Sequence, residues 1–293
     1  MINEFEQKII ESCKPFQGLP VALSGGVDSS LLAALIKPRF VISVELPGDD
    51  KYNEIHHAKF VAESLELKHI IVKLDPTEFD EAMRKAVKAI GRPIPHFNIF
   101  PLYKMYEKLA EMGEEELVLG DGPDETMCGY ARDLIFNYLY KVYDFEAFAN
   151  YKPLIDKVLP KKPDAIKALT GLDGFDNMVA ADIAMRKDMD DMSNGIAKHF
   201  GITNIRPYQD DPAMDDFMRD LPLLWKVKNV EFGKYLLRLI AGKYLPHEIA
   251  WRKKKVGGPV YPVNLQQGWS EIDGEFGKTQ YLEYQESILN GKT

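Results

Sequence analysis

The residues best suited to chemistry stand in one short run, Ser24-Gly25-Gly26-Val27-Asp28-Ser29-Ser30, between the apolar Val21–Leu23 and the apolar Leu31–Ile36. Two glycines let the backbone turn tightly and approach an anion without a Cβ in the way. Backbone N–H groups, serine hydroxyls and the positive end of a following helix can then converge on phosphate oxygens. Asp28 does not favour phosphate by itself, so its expected task is to hold Mg2+ that neutralises a polyphosphate. A simpler reading is a plain turn with Asp28 as a helix cap. Six specified residue types in one seven-residue window arise by chance at roughly 10⁻⁸ per window at average residue usage, which favours the phosphate loop.

A second cluster follows the apolar Leu117–Leu119, in Gly120-Asp121-Gly122-Pro123-Asp124-Glu125, with Gly129-Tyr130 close behind. Three carboxylates so near one another repel unless a cation or cationic partner is present, which suggests metal or substrate work. An acidic turn is often no more than a solvated loop, but a position at the end of a strand is where ligands bind in α/β sheets. The basic run Lys253 to Lys255, flanked by Trp251 and by Gly257-Gly258, is either a source of phosphate-neutralising charge or a solvated patch.

Ser24 to Ser29 resembles the PP-loop of the ATP pyrophosphatase superfamily. That family cleaves ATP between the α and β phosphates, with the loop gripping the departing pyrophosphate. No Gly-Lys-Ser or Gly-Lys-Thr ends the turn, which separates it from a Walker loop. GMP, NAD and argininosuccinate synthetases and tRNA-modifying enzymes share such a loop, so it implies ATP chemistry and not a substrate. Leu117 to Glu125 with Gly129-Tyr130 resembles the Leu-Ser-Gly-Glu-Gly-Xaa-Asp-Glu and Gly-Gly-Tyr signature of the synthetase domain of asparagine synthetase and its relatives, including β-lactam synthetase. Leu46-Pro47-Gly48, Tyr103, Pro207-Tyr208-Gln209-Asp210, Gly233-Lys234 and Ala250-Trp251-Arg252-Lys253-Lys254 fall in that family's order, so most of residues 20–258 is covered.

The resemblance implies an enzyme that uses ATP and Mg2+ to adenylate a carboxylate and passes the acyl group to ammonia or a small amine, releasing AMP and pyrophosphate. It implies that Ala22, Leu23, Ser24, Gly25, Gly26, Asp28, Ser29 and Ser30 hold the nucleotide and that Val44 and Gly120 border the adenosine. Asp28 and Asp124 would bind Mg2+, Asp121 matches a catalytic or substrate-facing glutamate, and Lys234 and Lys254 match two lysines that neutralise phosphate charge. Leu119 replaces a serine of the signature, Asp121 is one methylene shorter than glutamate, and Pro123 fills a position usually small. The stretch Pro95 to Pro101 lacks the arginine that meets aspartate in asparagine synthetases, with Phe97 near its place, so the acid stays open. Glutamine-dependent relatives begin with a cysteine-nucleophile glutaminase domain. Here the PP-loop is reached by residue 24 and Cys13 lies in a predicted helix, so the expectation is a chain lacking that domain and fed by ammonia or by a separate glutaminase subunit.

The elements that position these residues read as an α/β fold: a parallel sheet wrapped by helices, like an adenine nucleotide α-hydrolase, with a mostly helical C-terminal half. Strands are expected over Leu19–Leu23, Phe40–Leu46, His69–Leu74 and Glu116–Leu119, and helices over Ile2–Cys13, Asn53–Leu65, Pro76–Ile90 and Leu102–Met112, with a further helix through Leu31–Ile36. Such alternation favours right-handed crossovers and a parallel sheet. Beyond Ala131 strand signals fade and helical spacing dominates in Phe136–Phe148, Met178–Met192 and Phe232–Tyr244, with Pro153–Pro163 as a connector and a polar, frayed tail from Trp269. Residues 1–130 are expected to form the nucleotide-binding core. Residues 131–293 would bind substrate and complete the active site, packed with that core as one continuous domain.

Composition limits the alternatives. The 293 residues are long enough for this arrangement without disulfide or metal staples, and two cysteines without a CxxC pair leave no disulfide framework or zinc cluster. A net charge of −8 argues against nonspecific nucleic-acid binding. A PP-loop enzyme modifying nucleobases or tRNA would carry catalytic cysteines and a basic surface. A catalytically silent nucleotide-binding subunit is the other alternative, kept open by Leu119 and Asp121. The longest apolar runs are too short to span a bilayer, so a cytoplasmic protein is expected. The six histidines are expected to be structural, with His56 and His57 facing different directions, and Trp225, Phe232 and Tyr235 are expected in the core.

Overall fold

The apolar runs read from the sequence form the inner strands of one sheet. The computed structural model describes residues 1–47, 54–94, 96, 98–130, 175–229, 231–253 and 274–291. Strands β1 (Val21–Ala22), β2 (Val41–Glu45), β3 (His69–Lys73), β4 (Glu116–Val118) and β5 (Thr203–Ile205) lie in the order β3-β2-β1-β4-β5, and every neighbouring pair is parallel. Val21 pairs with Val41 on one side and with Val118 on the other, which makes β1 the central strand. After β3 the chain returns to the far side of β1 to form β4, so the sheet has a topological switch point between β1 and β4. In open α/β sheets the crevice at the carboxyl ends of such strands is the usual ligand site.

The chain divides into two compact units. The sheet unit comprises Cys13–Leu119, Lys187–Ile205 and Lys255–Thr293, and the second, helical unit comprises Met1–Ser12, Gly120–Arg186 and Arg206–Lys254. In the sheet unit, the helix following the loop (Val27–Ile36) is apolar nearly all round and buries Leu31, Leu32 and Ile36 completely, as a helix without a solvent face must. The helix Phe79–Ile90 buries Phe79, Ala82, Met83, Ala86 and Val87 at helical spacing and stops at Gly91, whose φ of 80° suits glycine at a helix end. These side chains join Ile42, Val44, Phe100, Tyr103 and Tyr106 in the unit's core.

Three expectations need correction. The sheet has a fifth strand, Thr203–Ile205, and the second unit has a two-stranded antiparallel hairpin, Val227–Asn229 with Phe232–Gly233, neither of them foreseen within the half read as mostly helical. The helix expected from Phe232 therefore begins only at Tyr235. The described part of the polar tail is not frayed: Gly274–Leu289 is a helix that buries Tyr281 and Ile288. Its Gln285, fully buried, accepts from Ile94 N–H and donates to Ile94 O, both at 2.9 Å, and Tyr281 donates to His96 O. The polar side chain that made the tail look solvated is satisfied by backbone groups across the unit. His56 and His57 do not diverge either; their rings lie 3.9 Å apart at 42°. The expected Phe136–Phe148 helix and the Pro153–Pro163 connector lie outside the described residues, as do Gly48, Phe97 and Lys254. No helix among the described residues is long and apolar enough to cross a membrane.

Candidate active site

In the sheet unit, the chain leaves β1 through Leu23 and turns at Ser24-Gly25-Gly26 into the helix Val27–Ile36. Gly25 has φ +74°, and a Cβ there would stand 2.6 Å from Ala58 N and 2.7 Å from His57 C. Glycine is thus demanded twice, by backbone handedness and by the close approach of the helix Ile55–Ser64. The loop is tied within itself: Gly26 N–H donates to Ser24 Oγ at 3.2 Å, Ser24 N–H to Ser29 Oγ at 3.2 Å, and the two hydroxyls of Ser24 and Ser29 meet at 3.0 Å. Ser30 Oγ donates to Gly26 O at 2.7 Å and is fully buried, so its hydroxyl braces the helix start, whereas Ser24 is exposed. Gly26 caps the helix without a side chain, and Asp28 sits in the first turn, where a negative charge suits the helix dipole.

A hydrogen-bonded chain supports the loop from behind. Ser43 Oγ donates to Leu23 O at 2.5 Å, and His69 Nε2 lies 2.8 Å from Ser43 Oγ. A hydroxyl has one proton to give, so His69 Nε2 is the donor in the second contact. Burial, reinforced by Lys59 and opposed by Glu63, holds the His69 pKa below its ordinary value. Val44, expected to border adenosine, is registered with Val72 inside the core of this unit, and Ala22 packs against that core.

The helical unit holds the acidic turn. Gly122 adopts φ 116° ahead of the short helix Pro123–Thr126, where Pro123 takes a first-turn position that has no use for an N–H. Each carboxylate has a partner. Lys234 Nζ stands 2.8 Å from Asp124 Oδ1, with the lysine side chain only 3% exposed. Arg206 Nε donates to Asp121 Oδ2 at 3.3 Å. Tyr130 OH donates to Glu125, whose pKa is pushed up to about 7 by burial and then by the neighbouring Asp124. Arg186, paired with Asp215 at 3.0 Å, donates to Gly122 O at 3.4 Å. The repulsion among the three carboxylates is therefore met by cations and a phenol of the protein itself.

Lys234 lies in the left-handed region, φ 54°, with its N–H on Met127 O at 2.9 Å, and Cys128 has φ 58°. Left-handed backbone at residues other than glycine costs free energy and persists where the surroundings enforce it. Gly129 makes the ion pair possible, because a Cβ there would overlap Asp124 Oδ1 and Lys234 Cε. Further along, Arg238 donates to Gly233 O, Ala250 O and Arg252 O, and Phe232 and Tyr235 pack on Trp251; with Trp225 they are only half-buried, outside the core in which the sequence reading put them. Among the described residues no group of three or more His, Cys, Asp or Glu side chains forms a metal cluster. The sequence reading missed Arg206 and Arg186. Arg206 was within reach, since it directly precedes Pro207-Tyr208-Gln209-Asp210.

A parallel sheet whose central strand feeds a glycine-bent loop and an uncapped helix at the switch point defines the PP-loop class of α/β proteins. Within that class the chain belongs to the asparagine synthase family, whose sequence model matches residues 17–268. It is 26% identical over 289 residues to a putative glutamine-hydrolyzing asparagine synthetase of Methanocaldococcus jannaschii, covering 91% of this chain and 51% of that protein. It is 25% identical over 284 residues to the glutamine-hydrolyzing asparagine synthetase B of Escherichia coli, covering 86% and 44%. An NH(3)-dependent NAD(+) synthetase of Carboxydothermus hydrogenoformans is 32% identical over 187 residues, covering 56% and 73%. The chain spans about half the length of the two asparagine synthetases.

Proposed function

We propose that the chain is an ATP-dependent, AMP-forming amide-bond ligase that adenylates a carboxylate and passes the acyl group to ammonia or a small amine. The observation that carries this reading is the Ser24–Ser30 turn, a glycine-bent loop with an exposed serine entering an uncapped helix at the sheet's switch point. Such a loop offers amide and hydroxyl donors to a polyphosphate. The relatives' names support the reaction class, since two are asparagine synthetases and the third is an ammonia-dependent synthetase.

In this reading Ala22 to Gly26 and Asp28 to Ser30 hold the nucleotide, bordered by Val44 and Gly120. In this reading Asp28 and Asp124 are the Mg2+ carboxylates, and the ion, which takes one or two protein carboxylates, would complete its shell with phosphate and water. Lys234 Nζ lies 2.8 Å from Asp124 Oδ1, so the ion would share this carboxylate with the ammonium. When bound, the ion supplies positive charge to the phosphate oxygens. Lys234 and Lys254 oppose charge that builds on the leaving pyrophosphate, and Asp121 faces the reacting acyl group and amine. Ammonia enters from solution or from a separate glutaminase subunit.

Pyrophosphate exchange into ATP, screened over a panel of carboxylic acids, tests the reading. At least one acid supports exchange, and AMP accompanies amide formation from ammonium. ADP and inorganic phosphate as primary products would remove the assignment.

A further inference from the structure

The roles assigned so far leave Arg206 unused. Its side chain is 5% exposed while that of Asp121, which it contacts, is 46% exposed. A guanidinium taken out of water thus lies under a carboxylate that faces water. Burying a cation is costly, and it persists where a specific anion or set of acceptors repays it. The donor is held rigidly. Arg206 N–H donates to Asp210 Oδ2 at 2.7 Å, and Arg206 O accepts from Gln209 N at 2.9 Å and Asp210 N at 2.8 Å. The turn so closed contains Tyr208, which is fully buried and lies against Gly122, where an added Cβ would stand 3.3 Å from Tyr208 Cβ.

The acceptor sits on the opposite kind of backbone. Asp121 is flanked by Gly120 and Gly122, the most permissive neighbours a residue can have. A reacting group must be held to within about 0.5 Å, and a displacement of 1 Å can cost about 10²-fold in rate. A carboxylate on a glycine-flanked turn meets that requirement only if something outside the turn fixes it.

We infer that Arg206 is the positioning residue for Asp121, clamping its Oδ2 so that an anionic carboxylate is presented in one direction at the reacting centre. The inference rests on the synthetase reading for what Asp121 does, and on the ion pair alone for how it is held. The clamp acts on the chemical step, because the negative charge of Asp121 repels phosphate and contributes nothing to gripping ATP.

The test uses the full chain with Arg206→Gln, Arg206→Lys, Asp121→Asn and the Arg206→Gln/Asp121→Asn double variant, each checked for fold by circular dichroism. Arg206→Gln is expected to lower kcat for amide formation about 10²-fold with KM for ATP within about 2-fold. Arg206→Lys restores part of the loss, since lysine keeps the charge but not the planar fork. The double variant is no slower than Asp121→Asn, because the clamp has nothing left to hold. Multiplying losses in the double variant, or a raised KM for ATP with unchanged kcat, would overturn the inference. A wild-type chain that forms no AMP with any acid overturns the synthetase reading instead, and the two failures are therefore distinct.

Discussion

The two glycine-rich turns solve opposite problems by opposite means. The hydrogen bonds within the Ser24–Ser30 loop join residues no more than five positions apart, and its left-handed residue is a glycine. The Gly120–Glu125 turn is held by side chains from far along the chain, with Arg206 85 residues from Asp121, and left-handed backbone falls on Lys234 and Cys128. A loop that must receive an anion can be assembled from backbone amides and hydroxyls, which any short segment supplies. A turn that concentrates three carboxylates needs cations, and these come only from distant segments.

Removing the central cation tests this contrast most severely. Lys234→Met is expected to lower kcat at least ~10²-fold by deleting charge aimed at the leaving group. It also destabilises the fold, because Asp124 loses its partner. Adding Asp124→Asn returns much of the stability, read as Tm, and none of the activity. Recovery of activity in that double variant would mean the pair serves only the fold.

Gly25→Ala attacks the first turn on its own terms. The added Cβ meets the backbone of His57 and Ala58 and must adopt φ +74°, so a loss of about 2–5 kcal/mol is expected from handedness and overpacking together. Denaturant unfolding measures it, and ATP binding should weaken in parallel. A normal stability curve would mean the helix Ile55–Ser64 yields freely.

Gly129→Ala needs no left-handed backbone, as Gly129 is not among the positive-φ glycines, but its methyl would stand 2.7 Å from Asp124 Cα and overlap Asp124 Oδ1 and Lys234 Cε, so the ion pair and the backbone beside it must both move. We expect about a 10-fold or larger loss of kcat, within the range for a misplaced catalytic group, together with a stability loss of about 1–3 kcal/mol from overpacking, read as Tm. A lowered Tm with unchanged kcat would place the pair in the scaffold.

The smallest effect lies behind the first loop. Ser43→Ala removes the donor to Leu23 O and is expected to cost about 1 kcal/mol. The lowered His69 pKa means the unfolded chain binds the proton more readily than the folded one. This contribution is therefore fully present above the ordinary value of 6.5 and is lost as pH falls toward the lower folded value. Tm measured from pH 8 to pH 5 should fall less steeply in His69→Gln; an unchanged slope assigns the dependence to other groups.

Gly25-Gly26 between two apolar runs, and the alternation of strands and helices up to Leu119, were legible because they depend on neighbours in sequence. Backbone handedness, helix starts and apolar periodicity act over a few residues, and a single stretch of chain displays them. Thr203–Ile205 was not legible, since three residues with one polar centre become a strand only beside β4. The tail helix was hidden for a related reason: Gln285 reads as solvated until Ile94 offers it a buried N–H and C=O. Arg206 and Arg186 are ordinary cations in the sequence and Lys234 stands out only through the family resemblance, and what pairs each with a particular carboxylate or carbonyl of the acidic turn is the folding of segments tens of residues apart. Sequence alone determined the glycine-bent Ser24–Ser30 turn and the α/β pattern that carries it. The partner of each charge was decided by tertiary structure, because electrostatic compensation depends on distance in space and leaves no periodic trace along the chain.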